Sequence, residues 1–201
     1  MGKSPPRPGN DGEGRVEIER TYLLDGLPPL PGKVEVLQIE QGYLPEDAET
    51  AGDGGDRISG GRIRRAVSGD GSVRITHTIK TGRGLRRTEL ERSITAEEFE
   101  RCWPATAGRR LRKTRYRVPD AGGAAGVVWE IDAFEGFDLV LVDVELRSAD
   151  QEIVFPSWLS PHIVREVTEE ASYRNYSLAV HGLSRGESAG EVAGEEQRAG
   201  G

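Results

Sequence analysis

The chain has 201 residues, 35% apolar and 30% charged, with a net charge of −7. That length suits one domain, and the acidic balance argues against a general binder of double-stranded nucleic acid. A single cysteine, Cys102, excludes an intramolecular disulfide framework and a multi-cysteine zinc site, and suits a reducing compartment.

No apolar stretch is long enough to span a bilayer, and the N-terminus lacks the apolar run of a signal peptide, so a cytoplasmic protein without membrane attachment is expected. Residues 1–14, rich in Gly and Pro, hold too little apolar material to offset the entropy of ordering and read as a disordered tail. Period-2 alternation then predicts strands near 16–24 and 33–43. An acidic, Gly-rich loop from Pro45 to Asp56 follows, then strands near 58–67, 72–80 and 86–94. The capping box Thr95-x-x-Glu98 opens a helix through Phe99 and Trp103, on which Cys102 reads as a buried structural thiol. Strands are next expected near 111–119, 127–134 and 139–147. A second helix is expected from Ser160-Pro161 with Ile163, Val164 and Val167, and a further turn or two over 170–181. Residues 184–201 form a second polar tail, leaving one domain over 15–183.

Turn chemistry separates the strands at Asp25-Gly26, Pro28-Pro29, Gly69-Asp70-Gly71, Gly82-Arg83-Gly84, Gly122-Gly123 and Glu135-Gly136. The expected fold is mainly β: a closed eight-stranded antiparallel barrel, with a tunnel and a few peripheral helices. Gly82-Arg83-Gly84 reads as a hairpin turn rather than a phosphate loop, because no Gly-Lys-Ser/Thr follows. His77 falls on the apolar phase of its strand, and His162 and His181 lack metal-ligand spacing, so no zinc site is expected.

Side chains two apart in a strand share a face. On that basis Glu17, Glu19 and Thr21 lie together, as do Arg62 and Arg64, and Thr76, Thr78 and Lys80. The same holds for Arg87, Glu89 and Glu91, for Lys113, Arg115 and Arg117, for Glu130 and Asp132, and for Asp143 and Glu145. Residues 57–117 hold 17 Lys and Arg against 6 Asp and Glu, leaving 10 against 28 elsewhere. A barrel would set the acidic end strands side by side against a basic wall. Hard divalent cations take carboxylate oxygens, and phosphates take Arg and Lys. Crowded carboxylates repel one another and rise in pKa, so a divalent ion is nearly required to keep them ionised.

In this order the motifs resemble the CYTH domain of the triphosphate tunnel metalloenzymes, over nearly all of 16–182. Glu17-Ile18-Glu19-Arg20 resembles the start of the family's Glu-x-Glu-x-Lys signature, and Ile39-Glu40-Gln41-Gly42-Tyr43-Leu44 its second strand. Arg62-Ile63-Arg64, Thr78-Ile79-Lys80 and Arg87-x-Glu89-x-Glu91 resemble its central strands. Trp129-Glu130-Ile131-Asp132, Val144-Glu145-Leu146, Glu166-Val167-Thr168 and Tyr173-Arg174-Asn175 resemble its C-terminal half. The resemblance implies a tunnel that binds Mg2+ or Mn2+ and a triphosphate-bearing small molecule, and hydrolyses inorganic triphosphate or a small organic triphosphate. It further implies Glu17, Glu19 and Glu145 as catalytic residues, and Glu17, Glu19, Glu130, Asp132, Asp143 and Glu145 as metal ligands. Arg62, Arg64, Lys80, Arg87, Lys113 and Arg115 are implied to hold phosphate. Adenylate cyclase chemistry on ATP is the alternative activity within the family. Thr21 replaces the signature lysine, which removes a permanent charge and keeps open a non-catalytic polyphosphate or nucleotide binder.

Overall fold

The computed structural model describes residues 15–32, 34–46, 50–51, 57–58, 60–83, 86–120 and 127–183. Eleven strands are defined among them: β1 (Arg15–Leu24), β2 (Glu35–Tyr43), β3 (Thr50–Ala51), β4 (Arg57–Ile58), β5 (Arg62–Ser68), β6 (Val73–Arg83), β7 (Arg86–Ser93), β8 (Arg110–Pro119), β9 (Val128–Phe134), β10 (Val140–Leu146) and β11 (Ile163–Glu166). The helices are α1 (Ala96–Cys102) and α2 (Asn175–His181), with short 3-10 turns at Trp103–Thr106, Ser160–His162 and Ala171–Tyr173. Both expected tails, and the turn at Gly122-Gly123, lie outside the described residues, as do Gly84 of the expected hairpin turn and parts of the loop from Pro45 to Asp56.

The expected closed eight-stranded barrel is corrected to a nine-stranded antiparallel sheet, ordered β10-β9-β8-β2-β5-β6-β7-β1-β11 with an additional β10–β1 pairing. A separate two-stranded sheet pairs β3, inside the segment expected to be a loop, with β4 just after it. The ninth strand arises from β1. One edge of β1 pairs with β10 from Ile18 to Leu24. The other edge pairs with β7 only from Arg15 to Ile18, and β11 takes up Tyr22 to Leu24. The expected helix at Ser160-Pro161 is therefore a single 3-10 turn that feeds a strand. Unpaired backbone donors and acceptors at the end of β1 outweigh the helical spacing of Ile163, Val164 and Val167.

The sheet has one apolar and one charged face. Tyr22, Leu24, Trp129, Ile131, Val142 and Val144 are buried on the apolar face, under Leu159 and the partly buried Phe155. Phe155 meets Tyr22 edge-on at 5.0 Å and tilts against Trp129 at 5.6 Å. Further along, Phe99 and Cys102 of α1 cover Ile63 of β5, with Ile75 and Trp103 packed beside them. Cys102 is a buried thiol, as expected. His77 is buried too, with a ring nitrogen 3.0 Å from the Gly60 carbonyl oxygen.

Helix α1 starts where the capping box placed it. Thr95 Oγ1 accepts from the Glu98 backbone N–H at 3.1 Å, and the Glu98 carboxylate accepts from the Thr95 N–H at 2.7 Å. Thr95→Ala should lower stability by about 1 kcal/mol. Phe99→Ala, at a fully buried position, should lower it by about 4 kcal/mol. Denaturant melts check both values; equal losses would mean that α1 is held by its cap and not by its packing.

Candidate active site

Cross-strand partners in a sheet share a face, so register alone decides which side chains keep company. Glu17 pairs with Arg87, Glu19 with Glu145, and Thr21 with Asp143. Asp143 pairs with Glu130, and Asp132 with Arg115. Gln41 pairs with Arg64, Arg62 with Thr78, Thr78 with Glu91, and Lys80 with Glu89. Since Lys113 and Arg115 share a phase on β8, and Ile39 opposite Lys113 shares one with Gln41, every expected site position falls on the charged face. The side chains of Glu17, Lys80 and Arg87 lie outside the described residues.

The centre of this face is a buried ionic cluster. Asp132 is 1% exposed. It accepts from Lys113 Nζ at 2.5 Å, and from Arg115 Nε and Nη2 at 2.7 Å each, a bidentate fork. Arg115 also reaches Asp143 Oδ2 at 3.2 Å and pairs with Glu130. Glu130 accepts from Arg117 Nε at 3.0 Å. Thr21 Oγ1 donates to Asp143 Oδ1 at 2.8 Å, and Asn175 Oδ1 on α2 accepts from Lys113 Nζ at 3.1 Å. Of these, Asn175 was read only as part of the Tyr173-Arg174-Asn175 motif and not as a site residue, because α2 carries no alternation that points a residue at the sheet.

Burial and partners set the titration of the cluster. Burial works against ionising Asp132, but Arg115 and Lys113 together outweigh it and hold its carboxyl at about 2. Burial lowers Lys113 to about 8 against the pull of Asp132. Asp143 is pushed up, by burial first and by the Asp132 carboxylate second, despite Arg115 and Lys113.

A second cluster lies on β5, β6 and β7. Arg62 and Arg64 stand 3.7 Å and 3.6 Å from Glu91 Oε2, and Thr78 Oγ1 donates to that oxygen at 2.8 Å. Arg62 Nη2 donates to Thr78 Oγ1 at 3.1 Å, while Arg62 Nε is buried without a hydrogen-bond partner. Gly61, at φ +72°, turns the chain into β5 just ahead of Arg62; a Cβ there would lie 2.5 Å from the Thr78 carbonyl oxygen. Burial first, and the neighbouring Arg62 second, lower Arg64 to about 10, and Arg115 adds to the repulsion. Glu91 and Arg74 were not expected here as site residues, although both share the strand phase of residues that were.

Among the described residues, no group of three or more His, Cys, Asp or Glu is poised to hold a metal ion. Glu130, Asp132 and Asp143 come together as expected, but around Arg115. Glu19 and Glu145 are cross-strand neighbours, Glu19 half-buried and Glu145 exposed. No described helix is long and apolar enough to cross a membrane.

Because the folded Asp132 carboxyl titrates at about 2, below its unfolded value near 3.9, its contribution is complete above about pH 4 and is lost as pH falls toward 2. That window is worth about 2 kcal/mol. Asp132→Asn should cost about 3 kcal/mol at neutral pH, where Lys113 and Arg115 lose their shared partner. The loss of stability on acidification should flatten accordingly. Urea melts of both proteins from pH 7 to pH 2 check this, and parallel acid limbs would refute it.

No protein-family model matches the chain. The chain is 35% identical over 171 residues to the inorganic triphosphatase of Nitrosomonas europaea, a match that spans 82% of this chain and 97% of the relative. Its fold is similar to the crystal structure of the inorganic triphosphatase NE1496, at TM-score 0.55 and 33% identity, over 84% of this chain and all of that one. A second structure of NE1496 is similar at TM-score 0.53 and 32% identity, over 82% of this chain and 97% of that one. With that identity over nearly the whole relative, and with the Glu-x-Glu strand, the paired arginines and the C-terminal acids on one face, the chain belongs to the CYTH-type inorganic triphosphatase family.

Proposed function

We propose that the protein hydrolyses a linear triphosphate, inorganic or carried on a small organic group, on the charged face of its sheet. One observation carries the reading: Arg62 keeps a buried guanidinium Nε without an acceptor, with Arg64 beside it at Glu91 and the acids Glu19, Glu145, Asp143 and Glu130 on the same face. Such an arrangement calls for an anion that takes several hydrogen bonds at once, as a phosphate does. The activity named for the relatives supports the same substrate class.

Arg62, Arg64, Lys113 and Arg115, with Lys80 and Arg87, hold the phosphates and take up the charge that develops on their oxygens. The donor set fits a hard divalent cation, Mg2+ or Mn2+. It consists of carboxylate oxygens, and one member, Asp143, is pushed toward its neutral form by burial and by the neighbouring Asp132 carboxylate. Glu17, Glu19, Glu130, Asp132, Asp143 and Glu145 would hold it. Such an ion supplies Lewis acidity, drawing charge from the phosphate oxygens and easing deprotonation of the attacking water. Glu17, Glu19 and Glu145 orient that water in line with the terminal phosphorus and accept its proton.

Thr21 favours a second reading, a phosphate-binding protein without turnover. Its hydroxyl meets Asp143 where the signature places a cation, so this site carries one positive charge fewer.

Phosphate release from inorganic triphosphate, thiamine triphosphate, ATP and longer polyphosphate, in Mg2+ and in Mn2+, should show triphosphate hydrolysis that EDTA abolishes. Binding without release would establish the second reading, and cyclic AMP from ATP would establish cyclase chemistry. Glu19→Ala and Glu145→Ala should each lower kcat/KM by about 100-fold or more while leaving the thermal melt in place. A fully active Glu19→Ala protein would remove that assignment. Thr21→Lys should lower KM for inorganic triphosphate several-fold, and an unchanged KM would place position 21 outside the phosphate site.

A further inference from the structure

The second cluster sets one carboxylate among three guanidinium groups. Glu91 Oε2 stands 3.7 Å from Arg62 and 3.6 Å from Arg64, and Glu91 Oε1 accepts from Arg74 Nη2 at 2.9 Å. The first two distances exceed hydrogen-bond range, and the third lies within it. Glu91 thus gives Arg62 and Arg64 charge compensation without occupying their donors. Among the described residues, its hydrogen bond to a cation runs to Arg74.

Exposure grades across the three. The Arg62 and Arg64 side chains are 10% and 20% exposed, and that of Arg74 is 71% exposed. Arg74 pairs with Ala66 across β5 and β6, and Ala66 shares its phase with Arg64, so all three guanidinium groups stem from the charged face. The lowered pKa of Arg64, caused by burial and by Arg62, fits a cationic pair with too little anion beside it.

We infer that Glu91 is the resident counter-ion of the Arg62–Arg64 pair, which an incoming phosphate displaces, and that Arg74 draws the displaced carboxylate to the exposed edge of the site. This rests on the reading that Arg62 and Arg64 hold phosphate. A terminal phosphate can bridge the two guanidinium groups at hydrogen-bond distance, which Glu91 does not. The carboxylate keeps its bond to Arg74, and the Thr78 hydroxyl is released to donate to the phosphate. Glu91 and Arg74 are then specificity-determining residues. The fixed negative charge repels weakly charged anions such as the orthophosphate product, and a polyphosphate with several charges overcomes it.

The test measures calorimetric Kd values for non-hydrolysable imidotriphosphate and for orthophosphate, in Mg2+, on the full chain. Four proteins are compared: wild type, Glu91→Gln, Arg74→Ala and the double variant. Glu91→Gln keeps an oxygen for Thr78 and removes the charge. It should tighten imidotriphosphate roughly fivefold and orthophosphate by a larger factor, narrowing the selectivity. Arg74→Ala should weaken imidotriphosphate in the wild-type background and have little effect beside Glu91→Gln, the non-additivity expected of residues that act through each other. Glu91→Ala makes the same charge change and must shift Kd in the same direction, should the glutamine variant fail to fold. Unchanged or weaker binding in the Glu91 variants, or an Arg74→Ala effect of equal size in both backgrounds, would overturn the inference and leave the phosphate site standing. A wild-type protein that does not bind imidotriphosphate would overturn both.

Discussion

Asp132 is a fully buried carboxylate between two cations, and the charged face is organised around it. A buried charge is tolerated only when it is paired and its lone pairs are filled, because desolvation alone costs several kcal/mol per ion. Asp132 meets that condition through Lys113 on one side and the Arg115 fork on the other. The constraint then spreads. Arg115 has donors left over and reaches Asp143 and Glu130, Glu130 takes Arg117, and Lys113 takes Asn175. Side chains from β1, β8, β9, β10 and α2 are held at fixed distances because one aspartate has to be satisfied.

Such a network exists only because the opposite face of the same strands carries the hydrophobic burden. Tyr22, Leu24, Trp129, Ile131, Val142 and Val144 alternate with Thr21, Glu130, Asp132 and Asp143, and Phe155 and Leu159 cover them. With a period of two, the apolar packing that stabilises the strands also sets the register of the charged row. A slip by one residue would bury the carboxylates under Phe155 and expose Trp129, so the hydrophobic face protects the geometry of the polar one. Where the charged face meets α2 it turns apolar: Leu23, Leu111, Phe134 and Leu141 pack with Tyr173 and Leu178. That packing brings Asn175 to Lys113.

The same alternation explains how much could be read in advance. Strands β1, β2 and β5 through β10 fall within a few residues of the positions that periodicity predicts, because each alternates apolar with charged residues. β11 was illegible. Ser160-Pro161 with Ile163, Val164 and Val167 fits helical spacing, and only the vacant edge of β1 beyond Ile18 decides for a strand, which is a tertiary fact. At the site, phase was legible and partnership was not. Asp132 and Arg115 were placed on one face, yet nothing in their spacing says that Arg115 grips Asp132. Likewise Arg74 and Glu91 sit in phase with Thr76, Thr78 and Glu89, and their mutual hydrogen bond follows from the twist and register of β6 against β7.

Thr21 shows how one substitution acts inside such a network. A lysine there would add a third cation beside Asp143, which already has Arg115 at 3.2 Å and Lys113 nearby. With a hydroxyl in its place, Asp143 keeps a hydrogen bond but gains no charge. Burial and Asp132 then hold its carboxyl toward the protonated form. A lysine at position 21 would supply that charge from the chain itself; with threonine there, the positive charge beside Asp143 comes from Arg115 and Lys113 across the sheet.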